Sequence, residues 1–559
     1  RKAIELNPDY AMAHSNLGNI LSDLGNFKEA FDSFLKVIEL EPTFSSIYPS
    51  ITRFLKDSDL SKLNKSKLKQ ILSIIIERND VSHKELFIAF NFIYGNELLN
   101  NCEALDLDFY KTESILNNKL VINGLKKIIF TDLKLEGFLS IIRRRICDLI
   151  SKNERTINYS SLDFIIGLGE QCFFNEYIYS ITKEEKINLN TIINRCTNGE
   201  LNEINISILS CYYPLYKLLD KLPSLKSFTS LNPSFNELIE LQIIEPLKEI
   251  ELSKRIKKLG TINNAISLKV RTQYEENPYP RWRYSSYSEN QKTSWRQDIN
   301  NDIKPNYISQ SLDDEKLKVL IAGCGTGNQI LQTQRYKNAQ ITAIDLSLTS
   351  LAYAQRKINE LGLQNVELIQ MDILEIGLLK EKFDVIECGG VLHHMDDPSA
   401  GLKALLGVLK NNCFLKLALY SELARQDVVM ARKYIQRKKL QSNENNILNF
   451  RKKIISGELS DLNSLKLFED FYSLSEFRDL CFHAQEHRFT IQQLQNIINS
   501  NKLQFLGFLL PKQVKSLYKK YFPEDEKQTN LQNWSRFEEK NPKTFISMYQ
   551  FWVSNVNNE

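Results

Sequence analysis

Lys318-Val-Leu-Ile-Ala322, followed at once by Gly323-Cys-Gly-Thr-Gly327, decides how the chain is read. The first half is largely apolar and short enough for a buried strand. The second half is a turn whose alternating glycines let the backbone pass close to another group. Asn328-Gln-Ile-Leu-Gln reads as the helix that follows, and Gln340-Ile-Thr-Ala-Ile as a second strand that stops at Asp345. The pattern then repeats. Val366-Glu-Leu-Ile-Gln-Met is a strand closed by Asp372, and Phe383-Asp-Val-Ile-Glu387 runs into Cys388-Gly-Gly-Val-Leu-His-His-Met-Asp-Asp-Pro398. Strands alternating with helices predict a parallel α/β sheet, and ligands of such sheets sit beyond the carboxyl ends of the strands. The glycine turn, Asp345, Asp372 and the Glu387–His394 segment all fall at such ends, so they are expected to converge on one crevice.

The spacing discriminates between nucleotide ligands. Asp345 follows the turn by about 20 residues, the offset at which an acidic side chain grips a ribose diol. A dinucleotide fingerprint needs its third glycine at the sixth position, and Asn328 stands there; the third glycine, Gly327, comes one residue early. A GxGxG turn suits a ligand without phosphate, with an amino-acid end laid along the glycine backbone. This turn resembles motif I of class I S-adenosylmethionine-dependent methyltransferases, and Phe383–Glu387 with Gly390-Val-Leu-His-His resembles motif IV and its loop. The resemblance implies a Rossmann-like α/β fold with a seven-stranded sheet, and S-adenosylmethionine as cofactor. It implies that Gly323, Gly325 and Gly327 bed the methionine part, that Asp345 with Leu346 holds the ribose, and that Asp372 with Ile373 holds the adenine. Glu387 and Gly389 would line the sulfonium side.

At 559 residues, 42% hydrophobic and 25% charged, the chain has the composition of a multi-domain globular protein. A net charge of +4 argues against a surface built to coat nucleic acid. The nine cysteines include no CxxC pair, so neither a zinc site nor a disulfide framework is indicated, which fits a reducing cytoplasm. No apolar run approaches the roughly 18 residues of a membrane span.

The chain opens in mid-pattern, which predicts a piece of a longer protein. Arg1–Tyr10 aligns with Leu35–Phe44, and Ala11–Phe44 carries Leu17, Gly18, Leu21, Ala30, Phe34 and Pro42 in the arrangement of a 34-residue tetratricopeptide repeat. Residues 1–44 are therefore read as the end of a repeat array, implying a protein partner or protein substrate. Residues 45–260 read as an all-α middle region, with helices over Leu68–Ile76, Lys84–Tyr94, Asn123–Phe130, Leu135–Ile150 and Phe164–Tyr179. Arg143-Arg-Arg145 is expected on a solvated face, and the aromatic cluster Gln171–Tyr177 on a core helix with an Asn–Glu pair.

Residues 261–310 form a linker or lid. Asn277-Pro-Tyr-Pro-Arg-Trp282 is stiffened by its prolines, and Tyr279, Arg281 and Trp282 are candidates for contact with a planar or anionic substrate. Residues 311–559 are the α/β domain. Its fifth strand, Cys413–Tyr420, brings Tyr420 to the crevice, an insertion over 421–501 caps it, and Lys502–Leu510 with Thr544–Val553 closes the sheet. In the cap, Phe482-His-Ala-Gln-Glu-His-Arg-Phe489 would place His483 and His487 on one helix face. The match to a His-x-x-Glu-His metal motif lacks an evident third ligand, so no metal is expected. Four of the six histidines lie here or at His393-His394. His393, His394 and His487 are the candidate bases, and Glu486 and Arg488 are substrate-contact candidates. The whole resembles bacterial tetratricopeptide-repeat methyltransferases, and implies methyl transfer to a protein or small-molecule acceptor. Two rivals are a scaffold whose cofactor domain only senses, and an RNA methyltransferase using the basic runs Arg432-Lys433, Arg437-Lys-Lys439 and Arg451-Lys-Lys453.

Overall fold

The computed structural model describes residues 1–105, 116–153, 162–286, 292–309 and 316–555. The boundary expected between residues 310 and 311 lies outside them. Contacts divide the chain into two compact units. One comprises Arg1–Leu247, Trp282–Ser288 and Glu469–Leu474; the other comprises Lys248–Arg281, Glu289–Phe468 and Ser475–Glu559.

The first unit is helical. Ala11–Asp23 and Phe27–Leu40 form the repeat hairpin. Its helices close because Gly18 has no side chain: a Cβ there would stand 2.5 Å from the Phe34 ring. Further on, Lys65–Glu77, Lys119–Lys127, Leu133–Ser151 and Leu162–Phe174 are helices. Two expectations for this region are corrected. Arg143 is not on a solvated face but fully buried. Its guanidinium donates to the Ser180 carbonyl at 2.8 Å and lies 3.4 Å from Glu185, which also accepts from Tyr212 at 2.8 Å. Helix amphipathicity hides such a residue, because an arginine with carboxylate and carbonyl partners packs inside like any long side chain. Gln171, rather than an Asn–Glu pair, is the polar anchor of its cluster, donating to the Leu125 and Ile128 carbonyls at 3.0 and 2.6 Å.

The second unit is built on a sheet of eight strands, not seven: β1 (Lys257–Lys258), β2 (Leu317–Ala322), β3 (Ala339–Asp345), β4 (Val366–Gln370), β5 (Phe383–Gly389), β6 (Leu409–Leu419), β7 (Gln504–Phe508) and β8 (Tyr549–Ser554). Their order is β1-β4-β3-β2-β5-β6-β8-β7. The unexpected strand is a two-residue lysine edge paired in parallel with β4. It carries no apolar alternation to announce it, and its charges blunt the edge. β1 to β6 run parallel, and β8 is antiparallel to both β6 and β7. Strand order reverses beside β2, whose neighbours are β3 and β5. That is where a doubly wound sheet opens its crevice. Leu320, Ala322, Ile344, Ile386 and Cys388 form the packed centre beneath it. The expected helix carrying both His483 and His487 is not formed. The helix Leu474–Phe482 ends first, and the chain runs on extended to Phe489, whose amide donates to the Tyr420 carbonyl at 2.9 Å.

Removing one partner of a buried ion pair strands the other, at a cost of about 3–5 kcal/mol. Arg143→Ala should lower the unfolding free energy by that amount in urea titrations. Glu185 is held below the ordinary carboxylate range: burial opposes ionisation, but the Thr182 amide, Arg143 and Tyr212 outweigh it. Its contribution is therefore full at neutral pH and disappears as acid protonates it. The difference between wild type and variant should shrink in the same direction.

Candidate functional site

A cavity of about 380 Å³ opens at the carboxyl ends of β2 to β6. Its floor is the glycine turn, where Gly323, Gly325 and Gly327 all have positive φ. Gly325 shows why a side chain is excluded: at φ +51° a Cβ would stand 2.6 Å from the Tyr279 carbonyl oxygen. The Tyr279–Pro280 peptide thus lies directly on the turn, and the Thr326 hydroxyl donates to the Pro280 carbonyl. The Gly325 amide donates to Asp345 at 2.8 Å, and the other carboxylate oxygen accepts from the Ser347 amide at 2.9 Å. Burial raises the Asp345 pKa, and these backbone amides pull against it. Asp372 caps the next turn, accepting from the Leu374 amide at 3.0 Å. Each carboxylate oxygen keeps a further lone pair for a ligand hydroxyl or amine.

Gly323, Gly325, Asp345, Leu346, Asp372, Ile373 and Gly389 line this one cavity, together with Tyr279, His394 and Tyr420. The other expected residues do not. Gly327 instead packs under the helix Leu348–Glu360, where a Cβ would meet Ala354 at 2.9 Å. Glu387 is fully buried and turned to structural partners: Tyr336 donates to it at 2.7 Å, Gln329 at 3.3 Å, and Lys416 stands 3.9 Å away. Burial opposes its ionisation, but Lys416 and Arg335 hold its pKa below the usual range. Arg281 is off the cavity wall, and Trp282 belongs to the other unit. Glu486 is enclosed by Arg425 at 3.1 Å and Arg488 at 3.3 Å, and Arg488 also pairs with Glu422 at 2.8 Å.

The three histidine candidates separate sharply. His393 is completely buried, its ring 3.8 Å from that of Tyr420, and neither ring nitrogen has a hydrogen-bond partner. His487 sits off the cavity with Nε2 3.0 Å from the Met395 carbonyl. Only His394 lines the cavity. Its Nδ1 lies 2.7 Å from the Gln485 carbonyl. A carbonyl only accepts, so Nδ1 carries the proton and Nε2 keeps a lone pair. Burial lowers the His394 pKa to about 4, so the ring is neutral at physiological pH.

Lys416, Gln329, Tyr274 and Asp479 also line the cavity and were not expected from the sequence. A lysine inside the apolar run of β6 was the one signal available. Tyr274 and Asp479 are far apart in the chain, so nothing local could join them. The expected basic surface for RNA is partly internal: Arg451 is buried and Arg432 donates to the His483 carbonyl at 2.9 Å.

This sheet order with a glycine turn at its switch point is the doubly wound arrangement that the sequence resemblance implies. Comparison with known proteins agrees. Residues 319–412 match the family described as Methyltransferase domain, and residues 11–44 match Tetratricopeptide repeat. An uncharacterised protein of Synechococcus sp. is 32% identical over 202 residues, covering 34% of this chain and 48% of that protein. A ubiquinone biosynthesis O-methyltransferase of Pseudomonas fluorescens is 32% identical over 111 residues, 20% of this chain and 47% of the enzyme. The chain thus spans about half the length of these curated relatives. Among solved structures, PKMT2 from Rickettsia typhi in complex with AdoHcy is 18% identical, with a TM-score of 0.38 over 50% of this chain and 56% of that one. By the two family matches the chain carries a tetratricopeptide repeat over residues 11–44 and a methyltransferase domain over residues 319–412.

Gly325→Ala should cost at least the roughly 1–2 kcal/mol of a left-handed alanine, and more because the Tyr279 carbonyl must move. Gly377, where an added Cβ meets nothing within 4 Å, is the control. Urea unfolding of G325A and G377A should show a marked loss for the first and little for the second.

Proposed function

We propose that the chain binds S-adenosylmethionine in the cavity beyond β2 to β6 and transfers its methyl group to an acceptor. One observation carries this reading: the bare backbone of the glycine turn and the carboxylates of Asp345 and Asp372 line a single cavity in the domain that matches the methyltransferase family. The backbone of Gly323 and Gly325 along the cavity wall suits the amino-acid end of the cofactor, their Cβ positions being taken by Val391 and the Tyr279 carbonyl. Asp345 would hold the ribose hydroxyls and Asp372 the adenine amine, with Leu346 and Ile373 as apolar contacts. Bound there, the cofactor supplies a methyl group on a sulfonium, open to displacement by an acceptor lone pair.

The chain's own part is mostly positioning, worth roughly 7–11 kcal/mol when two reactants are held in line. Gly389 and Tyr420 form the wall beside which the acceptor would approach. His394 lines that space with a neutral ring, and Tyr279 closes the glycine side. Among the described residues no helix is long and apolar enough to cross a membrane. The repeat over residues 11–44 supports a protein partner or a protein acceptor.

Calorimetry with S-adenosylmethionine should show binding that weakens about 10- to 100-fold in Asp345→Asn, the worth of a charge-assisted hydrogen bond of about 1.5–3 kcal/mol. Labelled methyl should then pass from the cofactor into one size class of a cell extract. Binding without any transfer would identify a sensor instead of an enzyme. Once an acceptor is in hand, His394→Ala should reduce kcat by about 10²–10⁴-fold and change cofactor affinity much less. Because the His394 ring protonates only below about 4, the rate should stay level through pH 6.5 and fall as acid approaches that value. An acid limb centred near 6.5 would exclude His394 from the role.

A further inference from the structure

At the cavity wall, three side chains from distant parts of the chain converge. The ligating atoms of His394, Asp479 and His483 all lie within 4.8 Å of one another, and all three residues are buried. The two imidazoles are stacked, with ring centres 3.5 Å apart. One carbonyl fixes both: the Gln485 oxygen lies 2.7 Å from Nδ1 of His394 and 2.7 Å from Nδ1 of His483. His394 Nδ1 therefore donates, and for His483 the shorter contact, 2.7 Å to the carbonyl against 3.2 Å to the Gln485 amide, assigns the proton to Nδ1 as well. Both Nε2 lone pairs are left free of protons. This is how histidine ligands are oriented in metal centres, with the far nitrogen tied to a backbone carbonyl and the near one presented to the ion.

The third group completes the set. Asp479 stands 3.9 Å from His483 Nε2, and the Tyr274 hydroxyl donates to the carboxylate at 2.7 Å while its oxygen lies 3.1 Å from that imidazole nitrogen. Burial keeps both rings neutral, the form that binds metals: His394 falls to about 4 and His483 falls well below its ordinary value. The neighbouring cations are already engaged. Arg425 pairs with Glu486, and Arg432 donates to the carbonyls of Cys481 and His483.

We propose that His394 Nε2, His483 Nε2 and the Asp479 carboxylate bind one divalent transition-metal ion of the zinc class. Two imidazoles and one carboxylate select such an ion over magnesium or calcium, which prefer all-oxygen sites. His394 and Asp479 also line the cavity, so the remaining coordination positions are filled from its interior. If the methyl-transfer reading holds, on which this last step alone rests, the ion faces the acceptor side, and His394 then acts on the acceptor through the ion rather than as a free base.

The test uses the full chain, stripped with chelator and titrated with Zn²⁺, and with Co²⁺ as a coloured probe. One equivalent of Co²⁺ should bind and give ligand-field bands in the visible. His483→Ala and Asp479→Asn should each weaken binding by more than the roughly 10–100-fold that loss of an outer hydrogen bond costs. Both variants should keep the cooperative urea unfolding of the wild type, which reports an intact fold. A second readout needs no variant: the Co²⁺ form should show two exchangeable, hyperfine-shifted imidazole N–H resonances, one for each Nδ1 donated to Gln485. Absence of binding to the stripped chain, binding unchanged in both variants, or a Co²⁺ form without the paired resonances overturns the proposal. Metal uptake without methyl release leaves the cation site standing and removes the transfer reading; methyl release by a chain that takes up no metal does the reverse.

Discussion

The hydrogen bond from the Gly325 amide to Asp345 joins the ends of β2 and β3 just where the sheet opens, and much of the domain is arranged to make it. The amide points at the carboxylate only because residue 325 adopts a left-handed backbone. The carboxylate tolerates its burial only because backbone amides from both neighbouring segments answer it. A buried carboxylate without such donors would take up a proton. The Tyr279 carbonyl then closes over the turn at a distance that admits a hydrogen atom and nothing larger. Three stretches of chain are thereby fixed against one another through one carboxylate and two pieces of bare backbone. The space left beside them is shaped by backbone.

The opposite wall is held by a second economical device. The extended segment after Phe482 forms a parallel bridge between Phe489 and Ser421, and the His487 amide donates to the His393 carbonyl at 2.7 Å. These bonds bring Gln485 to the position where its carbonyl orients two imidazoles at once. A helix there would have spent that carbonyl on its own ladder. The irregular backbone is thus the reason the histidines have defined tautomers.

How much of this was legible follows from which signals are local. Strand, turn, helix and terminal acid recur within a few residues of one another, so β2 to β5, the glycine turn, Asp345 and Asp372 could be placed from pattern alone. The repeat hairpin was legible for the same reason, since Gly18 and Phe34 are set by a fixed period. What failed was long-range or unpatterned. β1 has two lysines and no periodicity. His483 and His487 stand at helical spacing, but Phe482 ends the helix and tertiary pairing with Tyr420 takes over. Arg143 reads as a surface residue because its partners Ser180 and Glu185 lie on other segments. Tyr274 meets Asp479 and His483 across more than half the length of the domain, a contact that no window of sequence contains.

Glu387 shows where strand-end acids part company. Asp345 and Asp372 are answered by backbone amides on one side and keep lone pairs toward the cavity. Glu387 sits at an equivalent strand end, yet Tyr336, Gln329, Arg335 and Lys416 surround it with donors and positive charge. Fully buried among them, it does not reach the cavity. Its influence passes instead through Gln329 and Lys416, which line the cavity and would otherwise be long, mobile side chains at its edge. Holding them to a buried carboxylate removes rotamer freedom before any ligand arrives. An acid that the sequence pattern offers as a contact residue thus works as an anchor for the two that touch the space.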